Sequence, residues 1–226
     1  MRTFAFVFAR GGSKGLPGKN IRLLGGIPLL AHSIRVAQSI NQIQRVFVST
    51  DDTSIAAVAI EHGAEVIERP AELATDTASE WMAWRHAILH VREKLGMNFD
   101  VFLSLPATSP LRSQDDVRAC LDSLDDSVDV VITVTPSARS PYFNMVSKDA
   151  NGFAHIVLGE TTFKRRQDVP LVYDMTTVAY VARPEFVMTN GGLFAGRVRP
   201  VIVPKERAVD IDDDYDFRVA EAFLNL

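Results

Sequence analysis

The apolar positions of this chain change period again and again. Thr3 to Ala9 alternate bulky and small apolar residues without a charge, as expected of a strand buried on both faces of a parallel sheet. Leu29, Leu30, Ile34, Val36, Ala37 and Ile40 then recur at helical spacing, and Arg45 to Ser49 return to a short strand. Ser54 to Glu61 predict a second amphipathic helix closed by Gly63, with strand Ala64 to Glu68 after it. The pattern continues with a helix over 77–95, a strand over 101–105, a helix over 113–124 and a strand over 128–134. Strands alternating with helices in this way predict an α/β fold with a doubly wound, mostly parallel sheet.

The alternation stops near Pro136. From there to Arg166 the pattern suggests a hairpin or extended arm, carried by Pro141-Tyr142-Phe143 and Ala154 to Leu158. An arm with an apolar face must bury it, and a partner subunit is a reasonable cover. The chain re-enters the core through Thr176 to Val181 and Val201 to Val203 and closes with a helix over Asp214 to Leu224. A length of 226 residues fits a single domain, 1–226, with the arm inserted at about 136–166.

Composition narrows the partners. A net charge of −4 argues against a general nucleic-acid binder, which needs a broad basic surface. Cys120 is the only cysteine, so no intrachain disulfide forms and a cytoplasmic setting is expected; a buried apolar role suits it better than catalysis. No apolar run reaches membrane-spanning length, so no membrane partner is expected.

The positive charge is local. Between Ala9 and Asn20 the chain reads ARGGSKGLPGKN, placing Arg10, Lys14 and Lys19 among Gly11, Gly12, Gly15 and Gly18 directly after the first strand. A loop at that place lies on the sheet's carboxyl edge, where open α/β folds bind ligands, and its glycines let backbone approach the ligand closely. Cations of this density select a polyphosphate. The loop is neither of two familiar ones. Ser13 stands where a Walker A motif needs glycine, and Asn20 where it needs Ser or Thr; Gly12, Gly15 and Gly18 do not give Gly-x-Gly.

Asp210 and Asp212 alternate about Ile211, and in extended backbone their carboxylates share a side, which suits magnesium. The same acidic run also suits the start of the last helix, so either reading stands on the residues alone. Thr77-Ala-Ser-Glu80 reads as a capping box, Asp76 as an Asx-type turn, and Ser113 as a helix cap. Thr108, Ser109 and Arg112 follow a strand predicted to end at the carboxyl edge, and the guanidinium groups of Arg165 and Arg166 suit a carboxylate. The five histidines show no metal-ligand grouping.

Six blocks together resemble the N-acylneuraminate cytidylyltransferases, the CMP-sugar synthetases that activate nonulosonic acids. They are the glycine-rich loop, STDD at 49–52, ERPAELATDTAS at 68–79, PATSPLRS at 106–113, and RRQ at 165–167 with VDID at 209–212. SPYFNMV at 140–146 and VYDMTTVAYV at 172–181 look closer to the legionaminate-type synthetases than to the sialic-acid type. The resemblance implies a Rossmann-like nucleotidyltransferase sheet, a homodimer with a dimerisation arm, CTP and a free 2-keto nine-carbon sugar acid as substrates, and Mg2+ held by Asp210 and Asp212. It also implies catalytic roles for Arg10, Lys14, Lys19 and Arg166. Ala9, Gly11, Ser13, Asn20, Arg69, Asp76 and Ala78 match the nucleotide-binding positions. Thr108, Ser109, Arg112, Tyr142, Gln167, Tyr173 and Asp174 are the candidates at the sugar. Pro106 departs from the glutamine usual in the sialic-acid type, which puts N-acetylneuraminate in doubt as substrate. Two other readings are a nucleotide-sugar glycosyltransferase and a CTP-binding relative without catalysis.

Overall fold

The structure, a computed structural model, describes residues 1–12, 15–159, 163 and 165–224. Its order begins β1 (Thr3–Phe8), β2 (Leu23–Leu24), β3 (Ile27–Pro28), α1 (Leu29–Gln38), β4 (Ile43–Thr50), α2 (Thr53–Glu61), β5 (Glu65–Glu68) and α3 (Glu80–Leu89). It continues with β6 (Val101–Ser104), α4 (Gln114–Asp122), β7 (Val130–Pro136), β8 (Val146–Lys148), β9 (Ala154–Ile156), β10 (Tyr173–Ala182), α5 (Pro184–Thr189), β11 (Val198–Ile202) and α6 (Asp214–Leu224).

Seven strands form the central sheet in the order β11-β7-β10-β6-β1-β4-β5. β1 pairs in parallel with β4 and β6, β4 with β5, and β11 with β7; β10 alone runs antiparallel to both of its neighbours. The sheet is therefore α/β and mostly parallel, as the periodicity predicts. From β1 the chain winds outward through β4 and β5, then crosses back to β6 on the other side of β1. That reversal opens a crevice beyond the carboxyl ends of β1 and β6.

The alternation in β1 feeds two different cores. Ala5 and Val7 pack with Leu30 and Ile34 of α1, Ala59 of α2 and Val117 of α4. Phe4 and Phe6 face the other way, toward Trp84 and Ile88 of α3 and Val187 of α5. There Phe6 stacks on Phe47 at 5.4 Å and on Phe102 at 4.9 Å between ring centroids. Small residues on one side let the helices come close, and aromatic rings fill the wider gap on the other. A third cluster, containing Leu24, Leu29, Ile211 and Phe217, ties α6 to the segment after the glycine-rich loop.

Two local differences from the sequence reading matter. The helix predicted to begin at Thr77 begins at Glu80, and its cap, Ser79, makes no side-chain capping bond. The capping box does not form, so Glu80 is left for another use. In β10 the register against β7 shifts between Thr176 and Tyr180. Thr133 supports that irregularity: its hydroxyl donates toward the Thr176 carbonyl at 3.3 Å and accepts from the Ala179 N–H at 3.2 Å. Over 140–158 the chain forms the antiparallel β8–β9 hairpin, with Val146, Phe153 and Val157 exposed.

Candidate active site

The glycine-rich loop leaves β1 and folds back over the sheet edge. Asn20 is buried and donates from Nδ2 to the Arg10 carbonyl at 3.0 Å, fixing the two ends of the loop to each other. Gly18 takes φ 67°, a left-handed turn that glycine adopts without strain. A Cβ at Gly15 would collide with the carbonyl oxygen of Asp212, so glycine there lets the loop lie against the acidic segment from the far end of the chain. Lys19 cements the contact, its Nζ donating to the Ile211 carbonyl at 2.8 Å and meeting Asp212 Oδ1 at 3.1 Å. Arg10 pairs with Asp76 at 2.8 Å. Ser13 and Lys14 lie outside the described residues.

Arg10, Lys19, Asn20, Arg69, Asp76, Ala78 and Thr108 line one cavity of about 360 Å³, together with Phe8, Glu80, Pro106 and Thr177. Arg69 is buried, bonded through Nε and Nη2 to the side chain and carbonyl of Ser49, and its guanidinium lies 5.6 Å from the Phe8 ring centroid. Desolvation lowers its pKa. Ala9 is buried beneath the loop, with its N–H on the Ser49 carbonyl, and Gly11 donates to Asp51 Oδ1 at 3.0 Å. Neither of these lines the main cavity; Gly11 borders a small cleft of about 70 Å³ with Arg10 and Lys19.

The two aspartates of the alternating pair differ sharply. Asp210 is partly buried, and its pKa is raised, first by desolvation, although the Thr108 and Thr177 hydroxyls favour its ionised form. Its Oδ1 is buried with no hydrogen-bond partner among the described residues. Asp212 exposes 77% of its side chain. No group of three or more His, Cys, Asp or Glu side chains converges among the described residues. One shielded carboxylate oxygen lacking a partner and one exposed carboxylate fit a magnesium ion, which keeps several waters and is shared with substrate phosphates.

The loop after β6 corrects part of the sequence reading. Arg112 exposes only 3% of its surface and does not line the cavity. Its Nε donates to the Val178 carbonyl at 2.7 Å, and its other nitrogens reach the Ser33 hydroxyl and the carbonyls of Pro106 and Thr177. Burial pushes it down to about 9, still charged at neutral pH. An arginine spent on backbone carbonyls has no donor fork to offer a sugar, so its role is to hold the floor of the site. Ser109 is likewise fully buried, its hydroxyl 2.6 Å from that of Thr177, and it acts through Thr177 rather than on a ligand.

A second cavity of about 350 Å³ shares Thr177 with the first and is lined by Asp174, Asp210, Lys205 and Thr135, whose buried hydroxyl also has no partner among the described residues. Asp174 lines this second cavity, whereas Tyr142, Arg166, Gln167 and Tyr173 line neither cavity. Tyr142 packs edge-on against Phe163, Arg166 donates to the Ala138 carbonyl at 3.2 Å, and Tyr173 pairs with Pro136 at the outer end of β10. The sequence reading missed Glu80 as a cavity residue by assigning it to a cap; its four-residue spacing from Trp84 was the available signal.

A cavity of about 360 Å³ at a sheet switch point, lined by Arg10, Lys19 and Arg69, suits a phosphate-bearing ligand and places the chain among the α/β nucleotide-binding proteins in architecture. The cytidylyltransferase family model matches residues 4–183, and the chain belongs to that family. It is 34% identical over 220 residues to post-translational flagellin modification protein B of Campylobacter coli, covering 96% of this chain and 93% of that one. It is 33% identical over 222 residues to CMP-N,N'-diacetyllegionaminic acid synthase of Campylobacter jejuni, covering 97% and 94%. Among solved structures, a CMP:2-keto-3-deoxy-manno-octonic acid synthetase complexed with CTP shares the fold, with a TM-score of 0.71 at 16% identity over 100% of this chain and 99% of that one.

Proposed function

We propose that the chain joins CTP to a free nine-carbon 2-keto sugar acid, giving a CMP-sugar and pyrophosphate. The observation that carries this reading is that Arg10 and Lys19 line one cavity, Lys19 bonds Asp212, and Asp210 lines the adjoining cavity that shares Thr177 with the first. The anomeric hydroxyl attacks the α-phosphorus, the new C–O–P bond forms as the bond to the bridging oxygen of the β-phosphate breaks and pyrophosphate leaves, and the hydroxyl proton passes to solvent water. Such a transfer needs positioning and charge stabilisation rather than covalent help from the protein.

Arg10, Lys19 and, by family resemblance, Lys14 hold the triphosphate and stabilise the departing pyrophosphate. Asn20 keeps the loop in shape, and Asp210 and Asp212 would hold magnesium. A magnesium ion held there would supply Lewis-acid stabilisation of the phosphate charge. The sugar acid is assigned to the adjoining cavity, where Asp174 and the Thr135 hydroxyl offer hydrogen bonds and Lys205 offers a positive charge for the carboxylate. Relatives named for N,N'-diacetyllegionaminic acid make that the favoured acceptor. The exposed apolar hairpin serves as a homodimer arm, and Tyr142, Arg166 and Gln167 then act at the neighbouring subunit's site. No helix among the described residues is long and apolar enough to cross a membrane, and a cytoplasmic enzyme suits its CTP supply.

The test is pyrophosphate release from CTP and magnesium with diacetylated legionaminate, its pseudaminate isomer, N-acetylneuraminate and the eight-carbon octulosonate offered separately. Release with diacetylated legionaminate, and far less with the octulosonate, is expected. Silence with every acid would overturn the reading.

A further inference from the structure

Glu80 presents a contradiction within the cavity: a site built to attract a polyphosphate carries a carboxylate on its wall. A glutamate in a helix's first turn is ordinarily explained by capping or by the helix dipole. Here the cap bond is absent, and the side chain turns instead to the cavity, where Oε1 accepts from Trp84 Nε1 at 3.2 Å. The residue is exposed along the open cavity, yet protein atoms crowd the carboxyl itself, and this desolvation raises its pKa. No hydrogen bond joins it to Arg10 or Lys19 among the described residues. Trp84 is the one hydrogen-bond donor that reaches the carboxylate among the described residues, so its remaining lone pairs can accept from a donor on the ligand.

Its surroundings specify the donor. Phe8, Ala78 and Ala83 provide apolar wall, and Arg69 is the nearest cation whose field Glu80 feels. This part of the cavity therefore offers an aromatic face, a guanidinium donor and a carboxylate acceptor. Cytosine presents a matching edge: O2 and N3 accept, and the exocyclic N4 amino group donates. Uracil places a carbonyl oxygen where that amino group stands, which would face the carboxylate acceptor to acceptor.

We infer that Glu80 is the residue by which this chain selects cytosine over uracil, its carboxylate accepting a hydrogen bond from the N4 amino group while Arg69 faces the acceptor edge. The inference rests on the proposed CTP site, but not on the identity of the sugar. An acceptor aimed at an amino group disfavours a ligand that presents a carbonyl oxygen there, because acceptor then meets acceptor.

The test is nucleotide binding by calorimetry with no sugar acid present, using CTP, UTP and the triphosphate of the 2-pyrimidinone riboside, which lacks only the amino group. The unaltered protein should bind CTP at least roughly tenfold tighter than either of the others. Glu80→Gln, whose amide can donate as well as accept, and Glu80→Ala should each lose most of the preference against UTP while keeping a folded circular-dichroism spectrum. Equal affinity of the unaltered protein for CTP and the pyrimidinone analogue would overturn the role of Glu80, and this needs no variant to fold. An undiminished CTP preference in the folded variants would overturn it as well. Failure to bind CTP at all would instead strike the cytidylyltransferase reading beneath it.

Discussion

Two loops leave the carboxyl ends of adjacent strands, and they treat their cations in opposite ways. After β1, Arg10 and Lys19 remain on the cavity, each held by groups that a phosphate can replace or rearrange: Asp76 for one, Asp212 and the Ile211 carbonyl for the other. After β6, Arg112 is enclosed and shared among carbonyls of two strands and a serine hydroxyl. The first arrangement leaves charge available to a ligand; the second spends charge on architecture. Position beside a site therefore does not make an arginine a ligand-binding residue, and what its donors are already doing decides the matter.

The comparison can be broken at its strongest point first. Lys19→Ala should lower turnover by about a hundredfold to a thousandfold, the size of removing one preorganised donor from developing charge. Its melting temperature should move less than that of Arg112→Met, because one of the lysine's two partners, Asp212, stays solvated. Steady-state kinetics beside a thermal melt checks both halves, and a large stability loss with near-normal turnover would make Lys19 architectural like Arg112.

Arg112→Met reverses the expectation. Buried carbonyls lose their donors, so unfolding free energy should fall by about 3 kcal/mol, measured in urea. Substrate KM in the surviving folded fraction should change far less than for Lys19→Ala. A fully stable variant with a raised KM for the sugar acid would return Arg112 to the substrate.

A smaller effect sharpens the architectural side. Asp116 caps α4 in a box with Ser113 and takes a paired contact from Arg207 at 2.8 and 3.0 Å. Burial opposes its ionisation, but Arg207 and Ser113 outweigh burial and hold its pKa below the usual carboxylate value. With the folded pKa depressed, its contribution is present above the unfolded pKa and is lost as pH falls through the folded one. Asp116→Asn should cost about 1.5 kcal/mol at neutral pH, a hydrogen bond to a charged partner, and the gap to the parent should close in acid. Urea titrations at a series of pH values would show it; a gap that widened on acidification would contradict the assignment.

Much of this was legible in the sequence because it rests on short-range rules. The strand at Thr3–Phe8 shows in its alternation, and the helices at 29–38, 53–61 and 114–122 in their spacing and caps. Lys19 and the acidic pair could be named from loop chemistry, though not their contact, since 192 residues separate Lys19 from the Ile211 carbonyl it bonds. Arg112 and Ser109 were misassigned because burial depends on which strands enclose them, and the irregularity at Thr177 is a pairing property of β10 and β7. Glu80 was hidden by a local motif that fits a capping box and does not form one. The placement of Tyr142, Arg166 and Gln167 outside both cavities reflects an arm whose sequence says that it needs cover, but not where it reaches.

The most direct test of the central claim is 31P NMR of one reaction containing the protein, CTP, magnesium and N,N'-diacetyllegionaminate. The account predicts that the three triphosphate resonances fall together while one phosphodiester signal and pyrophosphate rise in equal molar amounts. Appearance of CDP and inorganic phosphate in their place, or CTP left intact by a protein shown to bind it, would contradict cytidylyl transfer.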